Sequence, residues 1–128
     1  MRKTKKVIIA GSRTYTDYDK AWSKILDFTS TITNEISEDL EIVSGGAKGA
    51  DALGERFAKE SLPVVSIKLT VFPANWDKHG KSAGFLRNIE MADYADALLA
   101  FWDFKSRGTK HMIQTAINKG LIVKVVRI

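Results

Sequence analysis

Apolar residues along the chain alternate between two textures, short continuous runs and longer stretches with apolar positions three or four apart. Lys6 to Ala10 is an apolar, β-branched run closed by Gly11, as in a strand covered on both faces of a parallel sheet, and it predicts a central strand. Tyr18, Ala21, Trp22, Ile25, Thr29, Ile32 and Ile36 then form one stripe. Their spacing predicts a helix from about Asp17 to Ile36, with Asp17 or Thr16 as its cap. Leu40 to Ser44 predicts a second strand. The helix predicted from Ala47 to about Glu60 turns Ala50, Leu53, Gly54 and Phe57 inward, with Gly54 admitting a close neighbour. Pro63 marks the entry to a third strand, Val64 to Leu69. Thr70 to Ser82 reads as the longest irregular segment, and a loop of that length in a compact domain carries function or moves. Ala83 to Tyr94 predicts a helix, Asp96 to Trp102 a strand, Thr109 to Lys119 a helix ended by Gly120, and Leu121 to Val126 the last strand.

Strands thus alternate with helices five times, and the strands read as two-sided hydrophobic runs. The expected fold is α/β, one domain over residues 1–128 built on a doubly wound, five-stranded parallel sheet with helices on both faces. Ligands of such sheets bind beyond the carboxyl ends of the strands, where the winding reverses. Three polar, glycine-bearing turns end strands here: Gly11-Ser12-Arg13, Ser44-Gly45-Gly46-Ala47-Lys48-Gly49 and Ser106-Arg107-Gly108-Thr109. All three are expected on one rim, where two of them open helices and offer unpaired amides to a phosphate. The glycine spacing is neither the dinucleotide fingerprint nor the nucleoside-triphosphate loop. Arg13, directly after the central strand, points to a bidentate phosphate grip, with Lys48 or Arg107 adding charge. Trp76 or Trp102 is a candidate platform for a base, and Phe72, Trp76, Lys78 and Lys81 suit a lid over it.

Composition narrows the chemistry. The chain has no cysteine, which removes thiol nucleophiles, disulfides and thiolate metal sites and suits a reducing compartment. His79 and His111 have no sequence-adjacent ligand of metal-site spacing, so neither a metal nor a cofactor is expected. No apolar run approaches membrane-spanning length, and the start is basic but its apolar segment is too short for a signal peptide, so a cytoplasmic location with no membrane partner is expected. A net charge of +5 favours anionic partners, phosphorylated small molecules or nucleic acid.

Six segments in order, Ile9 to Arg13, Ser44 to Asp51, Phe72 to Trp76, Ala83 to Asn88, Phe101 to Asp103 and Ser106 to Thr109, resemble the YspA-type branch of the SLOG superfamily across nearly the whole chain. That superfamily is Rossmann-like. It includes the cytokinin-activating phosphoribohydrolases, the DNA-processing protein of natural transformation, and sensors of nucleotide-derived signals in bacterial and phage conflict systems. The resemblance implies binding of a nucleotide or a nucleotide derivative such as an ADP-ribose-like molecule or a signalling nucleotide, a phage or prophage setting, and self-association of the chain into a homo-oligomer. It adds Arg87, which resembles the arginine of the phosphoribohydrolases, and it matches Gly108-Thr109 to the start of their Gly-Thr-x-x-Glu element. Their glutamate is Met112 here.

Hydrolysis of an N-glycosidic bond needs a carboxylate near the ribose and a base for water. Glu90, Asp51 and Asp103 are the remaining candidates. Asp51 also suits the first turn of its helix and Asp103 the capping of the Ser106 to Thr109 turn, while Glu90 reads as a solvated helix residue. A binder without catalysis is the leading expectation, with a nucleotide hydrolase as the alternative. Single-stranded nucleic-acid binding, with Lys78, Lys81, Arg87, Lys105, Arg107 and Lys110 along the backbone, is a third reading.

Overall fold

A computed structural model of the chain describes residues 3–34, 38–61 and 67–128. Five strands, β1 (Lys3–Gly11), β2 (Glu38–Ser44), β3 (Lys68–Val71), β4 (Ala97–Trp102) and β5 (Ile122–Arg127), form one sheet in the order β3-β2-β1-β4-β5. Every pairing is parallel. The α/β, doubly wound sheet expected from the run pattern is therefore the fold. The chain winds outward from β1 through β2 to β3, then returns to lay β4 on the other side of β1. The winding reverses between β1 and β4.

Alternation along β1 supplies two cores. Val7 and Ile9 pack with α1 (Tyr18–Ile32) and α2 (Ala50–Glu60), whereas Ile8 and Ala10 pack with α4 (Ala83–Tyr94) and α5 (Arg107–Asn118). Helices cover both faces because the central strands are apolar on both. Gly54 does admit a close neighbour: a Cβ there would lie 2.6 Å from Cβ of Ile9. The edge strand β5 departs from the two-sided reading, since Ile122 is 51% and Val125 37% exposed. Alternating apolar residues look the same in sequence whether or not a helix covers them.

Helix boundaries shift for local reasons. Asp17 caps α1 as expected, accepting from the Lys20 amide at 3.1 Å, but the helix ends at Ile32 and Thr33 is extended. Four hydroxyls, of Thr29, Ser30, Thr31 and Thr33, donate back to carbonyls three or four residues earlier and compete with helical propagation. Ile36 and residues 64–66 of the expected third strand lie outside the described residues, and β3 continues to Val71 instead of ending at Leu69. The segment Thr70 to Ser82 is more ordered than expected. It holds the end of β3, a single helical turn α3 (Trp76–His79) capped by the Asn75 side chain, and a 3-10 turn leading into α4. Among the described residues no helix is long and apolar enough to cross a membrane.

Candidate functional site

At the carboxyl end of β1 the chain leaves the sheet through Gly11, and the Ser12 amide still donates to the Phe101 carbonyl of β4 at 3.0 Å. The Ser12 carbonyl accepts from the Tyr15 amide and from the Ala50 amide at the start of α2, both at 3.2 Å. Two rim turns are thereby fastened together. Gly49 makes that contact feasible: its φ is +76°, and a Cβ on it would lie 2.3 Å from the Ser12 oxygen. This conformation also delays α2, which begins at Ala50 rather than at the expected Ala47.

The turn after β2 is held by buried charge. Ser44 Oγ donates to Glu55 Oε2 at 2.7 Å and accepts from the Gly46 amide at 3.0 Å. Asp51, 5% exposed in the first turn of α2, reaches back to accept from the Ala47 amide at 3.3 Å. Across the turn Arg87 of α4 donates from Nη1 to the Gly45 carbonyl and from Nε to Asn88 Oδ1 at 3.1 Å. Gly45 is pinched between them, since a Cβ there would lie 2.6 Å from Arg87 Nη1 and 2.8 Å from Asp51 Oδ2. Burial pushes the Asp51 carboxyl up to about 6, against smaller lowering effects from Arg87 and from the Ala47 and Gly45 amides. Burial likewise lowers the Arg87 pKa; Asp51 raises it and Arg13 lowers it further.

The turn after β4 uses neutral donors. Asp103 accepts from the Ser106 amide at 2.8 Å and the Lys105 amide at 2.9 Å, and these bonds hold its carboxyl below its ordinary value. Ser12 lies close enough to add a small lowering effect, although its sealed hydroxyl makes no hydrogen bond among the described residues. Ser106 caps α5 through the Thr109 amide and hydroxyl, so the helix starts at Arg107, two residues before the expected Thr109. Trp102 donates to the Ser106 carbonyl at 3.1 Å and packs at an angle against Phe104.

Between the turns lies a cleft of about 170 Å³ that all three reach. Gly11 and Arg13 line it from the first turn, Ala47 and Asp51 from the second region, and Ser106, Gly108 and Thr109 from the third. A second hollow of about 360 Å³ continues outward over Gly45, Gly46, Lys48, Pro73 and Ala74. Arg13, Ala47, Trp76 and Arg87 border both. Several candidate residues sit elsewhere. Ser12, Ser44 and Gly49 brace the turns from behind, Asp103 is committed to its cap, and Arg107 and Glu90 are exposed on their helices outside the cleft. Of the three candidate carboxylates, Asp51 alone faces the cleft. Among the described residues no group of three or more His, Asp or Glu side chains could hold a metal ion.

Sequence reasoning passed over two features of the cleft wall. Asn88, 4% exposed, donates from Nδ2 to the Gly108 carbonyl and lies 3.2 Å from His111 Nδ1, so with Arg87 it ties the β2 turn to the start of α5. Phe85 stacks on His111 with ring centroids 4.2 Å apart. Burial lowers the His111 pKa. Asn88 stands in the resemblance motif beside Arg87, which was the available signal; His111 and Glu55 carried none.

The family model described as "YspA, cpYpsA-related SLOG family" matches residues 5–79. The "Gene 61 protein" of Mycobacterium phage D29 is 36% identical over 124 residues, covering 93% of this chain and 94% of the phage protein. No solved structure matches the chain significantly.

Proposed function

Because the chain belongs to the YspA, cpYpsA-related SLOG family, we propose that it is a single nucleotide-binding domain that takes a nucleotide or nucleotide-derived small molecule in the cleft at the β1–β4 switch point. One observation carries this reading. Arg13, Lys48 and Lys81 border the cleft with no ion-pair partner among the described residues, around an Arg87 already fixed in place. Unbalanced positive charge over open turns suits phosphate, and half-exposed Trp76 offers a stacking face for a base. Inner and outer hollows together fall in the roughly 300–1,000 Å³ range of small-molecule sites. Arg13, Lys48, Trp76, Arg87, Gly45, Gly46, Gly108 and Thr109 are the residues assigned to the ligand.

A thermal-shift panel of AMP, ADP, NAD, ADP-ribose, cyclic nucleotides and short oligonucleotides tests it, with native mass spectrometry of the protein as purified. Ligand at a hundred times its dissociation constant adds about 2.7 kcal/mol of stability. No shift with any nucleotide overturns the reading, and a shift with oligonucleotides alone transfers it to nucleic acid.

Hydrolysis at the same cleft is a second reading, favoured by one feature. Asp51 is a cleft carboxyl with its pKa raised to about 6, the range in which a carboxylic acid exchanges protons near neutral pH. Chromatography of each incubation decides: release of free base or ribose phosphate supports it, and full recovery of every nucleotide removes it.

A further inference from the structure

Behind the cleft wall runs a hydrogen-bond network whose directions are fixed at both ends. The Asn88 amide on α4 is its centre. Asn88 Oδ1 accepts from Arg87 Nε at 3.1 Å, while Nδ2 donates to the Gly108 carbonyl at 3.2 Å and lies 3.2 Å from Nδ1 of His111 on α5. A guanidinium only donates and a carbonyl only accepts, so these two partners decide which end of the amide is oxygen. The remaining Nδ2 hydrogen faces His111, whose Nδ1 must therefore accept it. The ring proton then sits on Nε2, 3.5 Å from Thr115 Oγ1. Arg87 Nη1 carries the network on to the Gly45 carbonyl in the β2 turn.

A second proton on His111 turns Nδ1 into a donor facing a donor. Rotating the amide to relieve that conflict sets its nitrogen against Arg87 Nε and its oxygen against the Gly108 carbonyl, so each escape costs at least one bond of the network. Phe85, stacked on the ring with centroids 4.2 Å apart, resists its turning aside. Burial already disfavours the charged ring. Around His111, α4 presents Phe85, Asn88 and, behind the amide, Arg87. On α5 itself Lys110 adjoins it and Arg107 lies one turn earlier, both exposed, and the strands beneath contribute Ile8, Ala10, Leu98 and Ala100. None of these groups is a carboxylate that would favour a charged ring. Asp51, on the far side of Arg87, is the other group there that titrates, at about 6.

We propose that His111 is a positioning residue of the cleft and the point at which pH acts on it: the neutral ring, through Asn88, holds the Arg87 guanidinium, and protonation of the ring loosens Arg87 and weakens the cleft's hold on an anion. The last step rests on the nucleotide reading above, whereas the first two concern the protein alone. His111 lines neither hollow, so this control operates from behind the wall.

Nitrogen-15 NMR of the ligand-free protein between about pH 4.5 and 8 tests it. The expected neutral form of His111 is the Nε2–H tautomer. Relative to His111→Asn, whose side-chain oxygen is an acceptor that does not titrate, exchange of the Arg87 Nε proton is expected to speed up about threefold or more as His111 protonates. An Nδ1–H tautomer in the wild type overturns the proposal, and so does equal Arg87 exchange in the two proteins throughout. The wild type alone supplies a further check that needs no variant to fold: the Arg87 Nε shift is expected to follow the His111 midpoint, and a shift that follows Asp51 instead overturns the relay. Sulfate, whose charge is constant over this range, then probes the cleft. Its affinity for the wild type, relative to His111→Asn, is expected to fall about threefold or more between about pH 7.5 and 5, the protonation of Asp51 being common to both proteins. An equal pH dependence in the two overturns the effect on binding. Absence of sulfate binding at every pH overturns the anion reading of the cleft, while the exchange data decide the relay by themselves.

Discussion

Two glycine-bearing turns open helices on the same rim, and an aspartate holds each, yet the two aspartates have opposite fates. Asp51 is buried, faces a fixed arginine across Gly45, and has its pKa driven up; Asp103 is at the surface, accepts two amides, and has its pKa held down. Behind Gly45 and Gly49 the first turn leaves no room for a Cβ, whereas nothing lies within 4 Å of the Cβ position of Gly108 in the second. The lesson is that Gly and Asp close together around a helix start are compatible with an Asp buried against another element or with an Asp that caps the turn locally.

The sharpest way to break this contrast is to add one methyl group to each turn. Gly49→Ala places a Cβ against the Ser12 oxygen in a backbone conformation reserved for glycine, and is expected to cost about 3 kcal/mol in urea unfolding. Gly108→Ala, with nothing within 4 Å and a position inside α5, is expected to leave stability unchanged or raise it by up to about 1 kcal/mol. Equal losses would show that both turns are equally clamped.

Charge removal sharpens it further. The folded chain binds the Asp51 proton more tightly than the unfolded chain does, so the stability this supplies is complete below pH 3.8 and lost as pH rises through about 6. Asp51→Asn is therefore expected to flatten that part of the pH profile, read from melting temperatures between pH 4 and 8. Asp103 has the opposite sign: its contribution is present above pH 3.8 and fades as pH falls through its lowered pKa. Asp103→Asn is expected to be mildly destabilising near neutral pH, with the difference from wild type vanishing in acid. Smallest in stability is Arg13→Ala, within about 0.5 kcal/mol of wild type because the side chain has no partner among the described residues to lose, while nucleotide affinity falls about tenfold or more. A large drop in melting temperature would make Arg13 a structural residue.

The strands β1, β2 and β4 and the apolar stripes of α1, α2, α4 and α5 were legible because burial on two faces, or on one helical stripe, leaves a period in the sequence. Segment Phe72 to Ser82 was not, since one four-residue turn capped by Asn75 is too short to show a period. Site residues divided in the same manner. Arg13, Asp103 and Ser106 act on neighbours in the chain or stand at a strand end, so their positions could be inferred. The Ser44–Glu55 bond, the Asn88–His111 contact and the burial of Asp51 depend on elements 11 to 23 residues apart or on tertiary enclosure, and no local pattern announces them. The cleft's Met112 is buried where the phosphoribohydrolase pattern has a glutamate, which shifts the catalytic question onto Asp51.

The position of β4 beside β1 also sets the order in which the molecule can assemble. Lys6 and Asp96, 90 residues apart, share backbone and side-chain hydrogen bonds at the start of that pairing, whereas β1, α1 and β2 lie within one short stretch of chain. Closing the longer loop is expected to be the later step, which would leave the cleft incomplete until the β1–β4 contact has formed. A molecule held there is expected to grip a part of the structure completed after the rate-limiting step of folding. It is expected to leave the refolding rate unchanged in stopped-flow traces and to act wholly as a brake on unfolding.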